Sequence, residues 1–141
     1  MSVRVFVPRD SGAASVGAER VCRAIENEAA RRDLAVDVVR NGSRGLYWLE
    51  PLVEVEVAGQ RIAYGPVAPG DVPGLFDAGW LDGGAHALFQ GPSEEIPYLK
   101  KQTRLTFARM GRGDPLAFDD YRAGGGLAGL RRALDLSPAD I

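Results

Sequence analysis

The chain has 141 residues, enough for one domain with a sizeable core or for one domain with a small appendage. Its 17 basic and 19 acidic residues nearly cancel to a net charge of −2, without the basic excess of a nucleic-acid binder, and no run of about 18 apolar residues is present to span a membrane. A single cysteine, Cys22, allows neither an internal disulfide nor a cysteine metal site, and the N-terminus lacks a signal-peptide pattern, so a cytoplasmic location is expected.

Val3, Val5 and Val7 alternate with Arg4 and Phe6, which predicts a first strand ending at Pro8. After a short loop, Ala18, Val21, Ile25 and Ala29 recur at spacings of three and four, predicting a helix from Ser15 to Arg32. Cys22 sits beside that stripe and reads as a small buried hydrophobe. Leu34 to Val39 is a second strand, so the first 39 residues form a parallel strand–helix–strand crossover. Val53, Val55 and Val57 alternate with Glu54 and Glu56, the pattern of a strand with one wet face. Ala58-Gly59-Gln60 is a turn, and Arg61 to Tyr64 returns antiparallel. Pro69 to Ala78 predicts a helix with Val72, Leu75 and Phe76 on its apolar face.

Beyond Ala78 the composition changes. Residues 79–91 carry loop signals, including Asp82-Gly83-Gly84 and Gly91-Pro92-Ser93. Leu105-Thr106-Phe107 reads as a short strand. Two short helices are expected over Pro115–Ala123 and Gly126–Leu134, the second with Leu127, Leu130 and Leu134 in a narrow stripe. Ser137-Pro138-Ala139-Asp140 has the form of a helix start, which implies that the protein continues past Ile141. The division expected is 1–80 as a layered α/β sheet domain and 81–141 as a linker with a small, mostly helical segment. Asp10, Ser11 and the single His86 do not make a recognisable nucleophile set, so no catalytic residue is expected within the chain.

Between the second and third strands lies Gly42-Ser43-Arg44-Gly45-Leu46-Tyr47, followed by Glu50-Pro51-Leu52-Val53. This resembles the cluster loop of thioredoxin-like [2Fe-2S] ferredoxin domains, where Gly-Cys-x-Gly-x-Cys precedes a Glu-Pro-Leu-Val strand. The resemblance implies a thioredoxin-like, ferredoxin-type sheet. The two cysteine positions carry Ser43 and Tyr47, and the loop after the first strand, Pro8 to Gly12, holds no cysteine either. Such a cluster takes four thiolates as a rule, so no cluster is expected here, with Tyr47 filling its volume.

A second resemblance rests on Ile96-Pro97-Tyr98-Leu99-Lys100-Lys101-Gln102-Thr103-Arg104, Gly113-Asp114-Pro115, Asp120-Tyr121-Arg122-Ala123-Gly124-Gly125 and Leu134-Asp135-Leu136-Ser137-Pro138. These are similar to the lead-in of the flavin-bearing, NADH-oxidising subunit of respiratory complex I and its relatives. A ferredoxin-type domain ahead of a flavin domain, with its cysteines lost, looks most similar to the beta subunit of cytoplasmic NAD-dependent formate dehydrogenases. The resemblance implies no cofactor within these residues, and FMN, NAD and a [4Fe-4S] cluster in the remainder of such a subunit. It also implies partners: a molybdenum catalytic subunit and a small [2Fe-2S] subunit. Ser43, Arg44, Tyr47 and Trp48 then form a vestigial cluster loop and a candidate docking surface, since aromatics and arginine are enriched in interface centres. Two further readings are a hydrogenase or NADH dehydrogenase diaphorase subunit and a free-standing thioredoxin-like interaction module.

Overall fold

The computed structural model describes residues 2–141. A five-stranded sheet runs in the order β2-β1-β3-β4-β5, with β1 at Val3–Phe6, β2 at Val36–Val39, β3 at Val53–Val57, β4 at Gln60–Tyr64 and β5 at Phe89–Pro92. β1 and β2 are parallel, Val3 opposite Val36; all other neighbours are antiparallel. The predicted helix between the first two strands is two helices, α1 (Ser11–Ser15) and α2 (Ala18–Arg31). Asp10 caps α1, its carboxylate accepting from the N–H groups of Gly12 and Ala13 at 3.0 and 3.2 Å. Gly17 then takes φ +104°, a conformation that side-chain-bearing residues rarely adopt, and α2 starts on a new axis. The apolar spacing from Ala18 onward is continuous with Ala14, which hides this break from a periodicity argument.

α2 and α3 (Val72–Asp77) lie on the same face of the sheet. Val21, Cys22 and Ile25 of α2 and Val72, Leu75 and Phe76 of α3 close over Val5, Val7, Val53, Val55, Ile62 and Tyr64. Trp80 is fully buried beneath them, edge-on to both Tyr64 and Phe76. Arg32 ties the two helices, its Nη2 donating to Asp77 Oδ1 at 2.7 Å. Cys22 is a core residue whose thiol is pushed up in pKa by burial.

The opposite face departs from expectation. The alternation of β3 predicts Glu54 in water, yet Glu54 is fully buried. The loop over residues 41–46 and the segment after β5 fold across this face, and Leu46, Leu52, Ala63, Ile96 and Leu99 make a second apolar cluster there. α4 (Pro97–Lys100) contributes Leu99. β5 itself falls in the stretch read as loop, and it pairs with β4 across a bulge between Ala63 and Tyr64. The expected strand at Leu105-Thr106-Phe107 is a succession of turns instead. α5 (Phe118–Ala123) and α6 (Ala128–Leu134) follow, with Leu130 and Leu134 exposed. No helix among the described residues is long and apolar enough to cross a membrane.

Glu54 is held by guanidinium groups. Arg44 Nη2 donates to Glu54 Oε1 at 2.9 Å and Arg44 Nε to Oε2 at 3.3 Å, while Arg61 Nη1 approaches Oε2 at 3.4 Å. Arg61 also lies 3.5 Å above the centre of the Phe6 ring. Replacing Glu54 by Gln leaves buried Arg44 with only the exposed Glu94 as counter-charge, and the expected loss is about 3 kcal/mol, read from the urea midpoint. The joint variant Arg44→Met/Glu54→Leu should regain much of that loss; a Glu54→Gln protein as stable as the parent contradicts the role given to this pair.

On the helical face, hydrogen bonds from Arg31 and Arg32 hold the Glu28 carboxyl at about 2, below its ordinary 4.5. A carboxyl held low in the folded state stabilises the fold above its unfolded pKa, and that contribution is lost as pH falls through the folded value. The stability difference between the parent and Glu28→Gln should therefore be constant near neutrality and close between pH 4.5 and about 2 in a pH series of thermal melts.

Candidate functional site

The loop between β2 and β3 is built from its own hydrogen bonds. The Arg9 N–H donates to the Asn41 carbonyl at 2.8 Å, joining this loop to the one after β1. Ser43 is buried, and its hydroxyl donates to Glu50 Oε1 at 2.6 Å while its oxygen accepts from the Gly45 N–H at 2.9 Å. Glu50 Oε2 accepts from the Leu52 N–H at 3.0 Å. The loop thus closes on itself at the base of β3. Gly65, just past the end of β4, lets it come close: a Cβ there would stand 2.5 Å from the Leu49 carbonyl oxygen. Burial pushes the Glu50 carboxyl up in pKa, against the opposing pull of Ser43 and the Leu52 N–H.

The four sequence-predicted residues separate into two pairs. Ser43 and Arg44 point inward, Arg44 as the buried partner of Glu54 and, through Nη1, of Glu94 Oε1 at 2.9 Å. Burial works against its charge, and Glu54 together with Glu94 more than compensates, holding the guanidinium above its usual pKa. Arg61, which shares Glu54 less closely, is lowered by the same burial. Tyr47 and Trp48 point outward from the turn Tyr47–Leu49 and are 66% and 59% exposed. Tyr47 therefore does not fill an enclosed volume; its ring lies along the loop after β1, 3.5 Å from where a Cβ on Gly12 would stand. Trp48 meets Tyr98 of α4 edge-to-face, centroids 5.0 Å apart. Tyr98 is half exposed and extends the aromatic surface; its pairing with Trp48, fifty residues away, has no signal in the local sequence.

The loop does not suit an iron–sulfur cluster. No thiol reaches it, since Cys22 is enclosed in the helical face of the core. The Ser43 hydroxyl is committed to Glu50 and Gly45, and Asp10 to the start of α1. Among the described residues no three His, Cys, Asp or Glu side chains converge to hold a metal ion. His86, on the far side, accepts from the Leu88 N–H through Nδ1 at 3.2 Å and serves the turn it sits in.

No protein-family model and no curated protein matches the sequence. Solved structures do match in shape. A thioredoxin-like [2Fe-2S] ferredoxin from Aquifex aeolicus superposes with a TM-score of 0.53 at 21% identity, covering 65% of this chain and 93% of the ferredoxin. A second structure of the wild-type Aquifex aeolicus protein gives 0.51 at 21% identity, covering 62% and 95%. A cysteine-to-serine variant of it gives 0.51 at 22%, covering 62% and 96%. The fold is thioredoxin-like. Its mixed sheet, helices and loop before β3 agree with the thioredoxin-like sheet that the resemblance implies, with β5 added at the edge.

Replacing Ser43 by Ala strips Glu50 Oε1 of its hydroxyl donor, which should cost about 1–3 kcal/mol at neutral pH. The cost should shrink on acidification, as Glu50 takes up a proton and no longer needs the donor; urea unfolding at several pH values measures both effects.

Proposed function

We propose that the chain is a docking domain, the non-catalytic N-terminal part of the beta subunit of a soluble, cytoplasmic NAD-dependent formate dehydrogenase. In this reading FMN, NAD and a [4Fe-4S] cluster belong to the remainder of the subunit, and electrons from formate pass to NAD there. The thioredoxin-like scaffold is one that [2Fe-2S] ferredoxins also use, which suits a place within an electron-transfer assembly. The scaffold here presents a surface in place of a cluster.

One observation carries the reading. At the loop where the family ferredoxins bear their ligands, the polar residues are turned inward and three aromatic rings, Tyr47, Trp48 and Tyr98, are turned out. Exposed, rigid aromatics in contact with one another are the side chains that most often anchor protein interfaces. The turn that carries Tyr47 and Trp48 is anchored from below by Leu46, fully buried, and by Arg44. Little order is therefore lost when a partner covers the rings. The partners are the molybdenum-bearing catalytic subunit and the small [2Fe-2S] subunit.

The test is co-expression of the full beta subunit with those two partners. Tyr47→Ala/Trp48→Ala should weaken association at least about tenfold in a pull-down titration, as expected for loss of interface anchors. An unchanged affinity sinks the docking role. Arg44 is unsuitable for this purpose, because its loss disturbs the fold itself.

A further inference from the structure

The two edges of the sheet are finished differently. β5, at one edge, meets β4 across a bulge and ends at Pro92, two features that close an edge to further pairing. β2, at the other edge, is regular and contains neither proline nor lysine. Its pairing with β1 uses only alternate residues. The Val3 and Val7 N–H groups donate to the carbonyls of Ala35 and Val39, both at 3.0 Å, and the parallel register sets Val3 opposite Val36 and Val5 opposite Val38. In such a ladder Ala35, Asp37 and Val39 turn their backbone toward β1. The N–H and C=O groups of Val36 and Val38 therefore point away from the sheet, and no other strand among the described residues pairs with them.

The side chains set what can join this edge. Val36 and Val38 pack against the helical core and are only partly buried. Asp37 is exposed, next to Arg4 of β1. Arg4 is committed to Glu56 at 3.2 Å, so one cation stands between two carboxylates. Neither Asp37 nor Asp33, at the turn into the strand, forms an ion pair among the described residues. The guanidiniums nearest in sequence are taken, Arg31 and Arg32 by Glu28 and Arg40 by Glu19. The edge is left net acidic.

We propose that β2 is a docking edge for an extended segment of a partner protein in which apolar residues alternate with lysine or arginine. The free N–H and C=O groups of Val36 and Val38 bond the added backbone, its apolar residues continue the row of the two valines, and a cation stands across from Asp37. The same carboxylate disfavours a second copy: the two-fold register that joins Val36 to Val38 of a neighbour sets Asp37 against Asp37. This surface is separate from Tyr47, Trp48 and Tyr98 and owes nothing to their docking role.

An amide-resolved NMR titration of the isotope-labelled full chain with the peptide acetyl-Lys-Val-Lys-Val-Lys-amide tests it. Saturable shifts of the Val36 and Val38 amides are expected, with a Kd below about 1 mM. The acidic counterpart, acetyl-Glu-Val-Glu-Val-Glu-amide, should bind about fivefold more weakly or worse. Val38→Pro removes an outward N–H and spares those directed at β1, so it should abolish binding. Should circular dichroism show that variant misfolded, Asp37→Lys decides, since it must turn the preference toward the acidic peptide. Absence of saturation, equal affinity for the two peptides, or binding that neither variant alters overturns the proposal. So does a concentration-dependent dimer in sedimentation that Val38→Pro abolishes, because a second copy then occupies the edge.

Discussion

The structure depends on one carboxylate placed where water would be expected. Glu54 lies in the middle of the sheet, on the face away from the helices, and side chains from the loop before β3 and from β4 converge on it. Asn41 and Arg44 come from the loop before β3, Arg61 from β4, and through Asn41 and Arg61 the carbonyl of Gly111 is gathered in. Arg44 continues outward to Glu94. A buried ion pair is weak evidence for stability, because desolvation offsets attraction. Its effect is geometric: few arrangements satisfy every donor and acceptor, so loop, sheet and C-terminal segment are held in one relation.

That relation explains why residues 93–113 are ordered although they contain little regular structure. Ile96 and Leu99 add apolar burial against Leu46, Leu52 and Ala63, and the guanidiniums supply direction. The helical face is more conventional: two amphipathic helices over β-branched strand residues, with Trp80 as the largest enclosed side chain.

What could be read from the sequence follows from this division. β1, β3, β4 and α2 pack apolar residues against the helical face at regular spacing, so periodicity locates them. The apolar periodicities give an α/β sheet; the thioredoxin-like topology was implied by the resemblance of the loop with Gly42, Gly45 and Glu50-Pro51 to the ferredoxin cluster loop, and superposition on the Aquifex aeolicus ferredoxins bears it out. β5 was not legible, since Phe89-Gln90-Gly91-Pro92 has neither alternation nor β-branched residues and becomes a strand only by pairing with β4. Nor was the burial of Glu54 legible: its partners lie thirteen and ten residues before it and seven after, and no local pattern links them. The candidate loop was found, but its division into inward Ser43 and Arg44 and outward Tyr47 and Trp48 is decided by contacts with Glu50, Glu54 and Tyr98.

Cys22 has a practical consequence. It is the chain's one sulfhydryl, packed between α2 and the strands and made less acidic by its surroundings. A thiolate-seeking reagent such as a maleimide meets nothing to alkylate while the helical layer stays seated. Each labelled molecule therefore records one excursion in which that layer lifted away, and the rate of modification becomes a clock for cooperative opening, free of interference from any second site on the polypeptide.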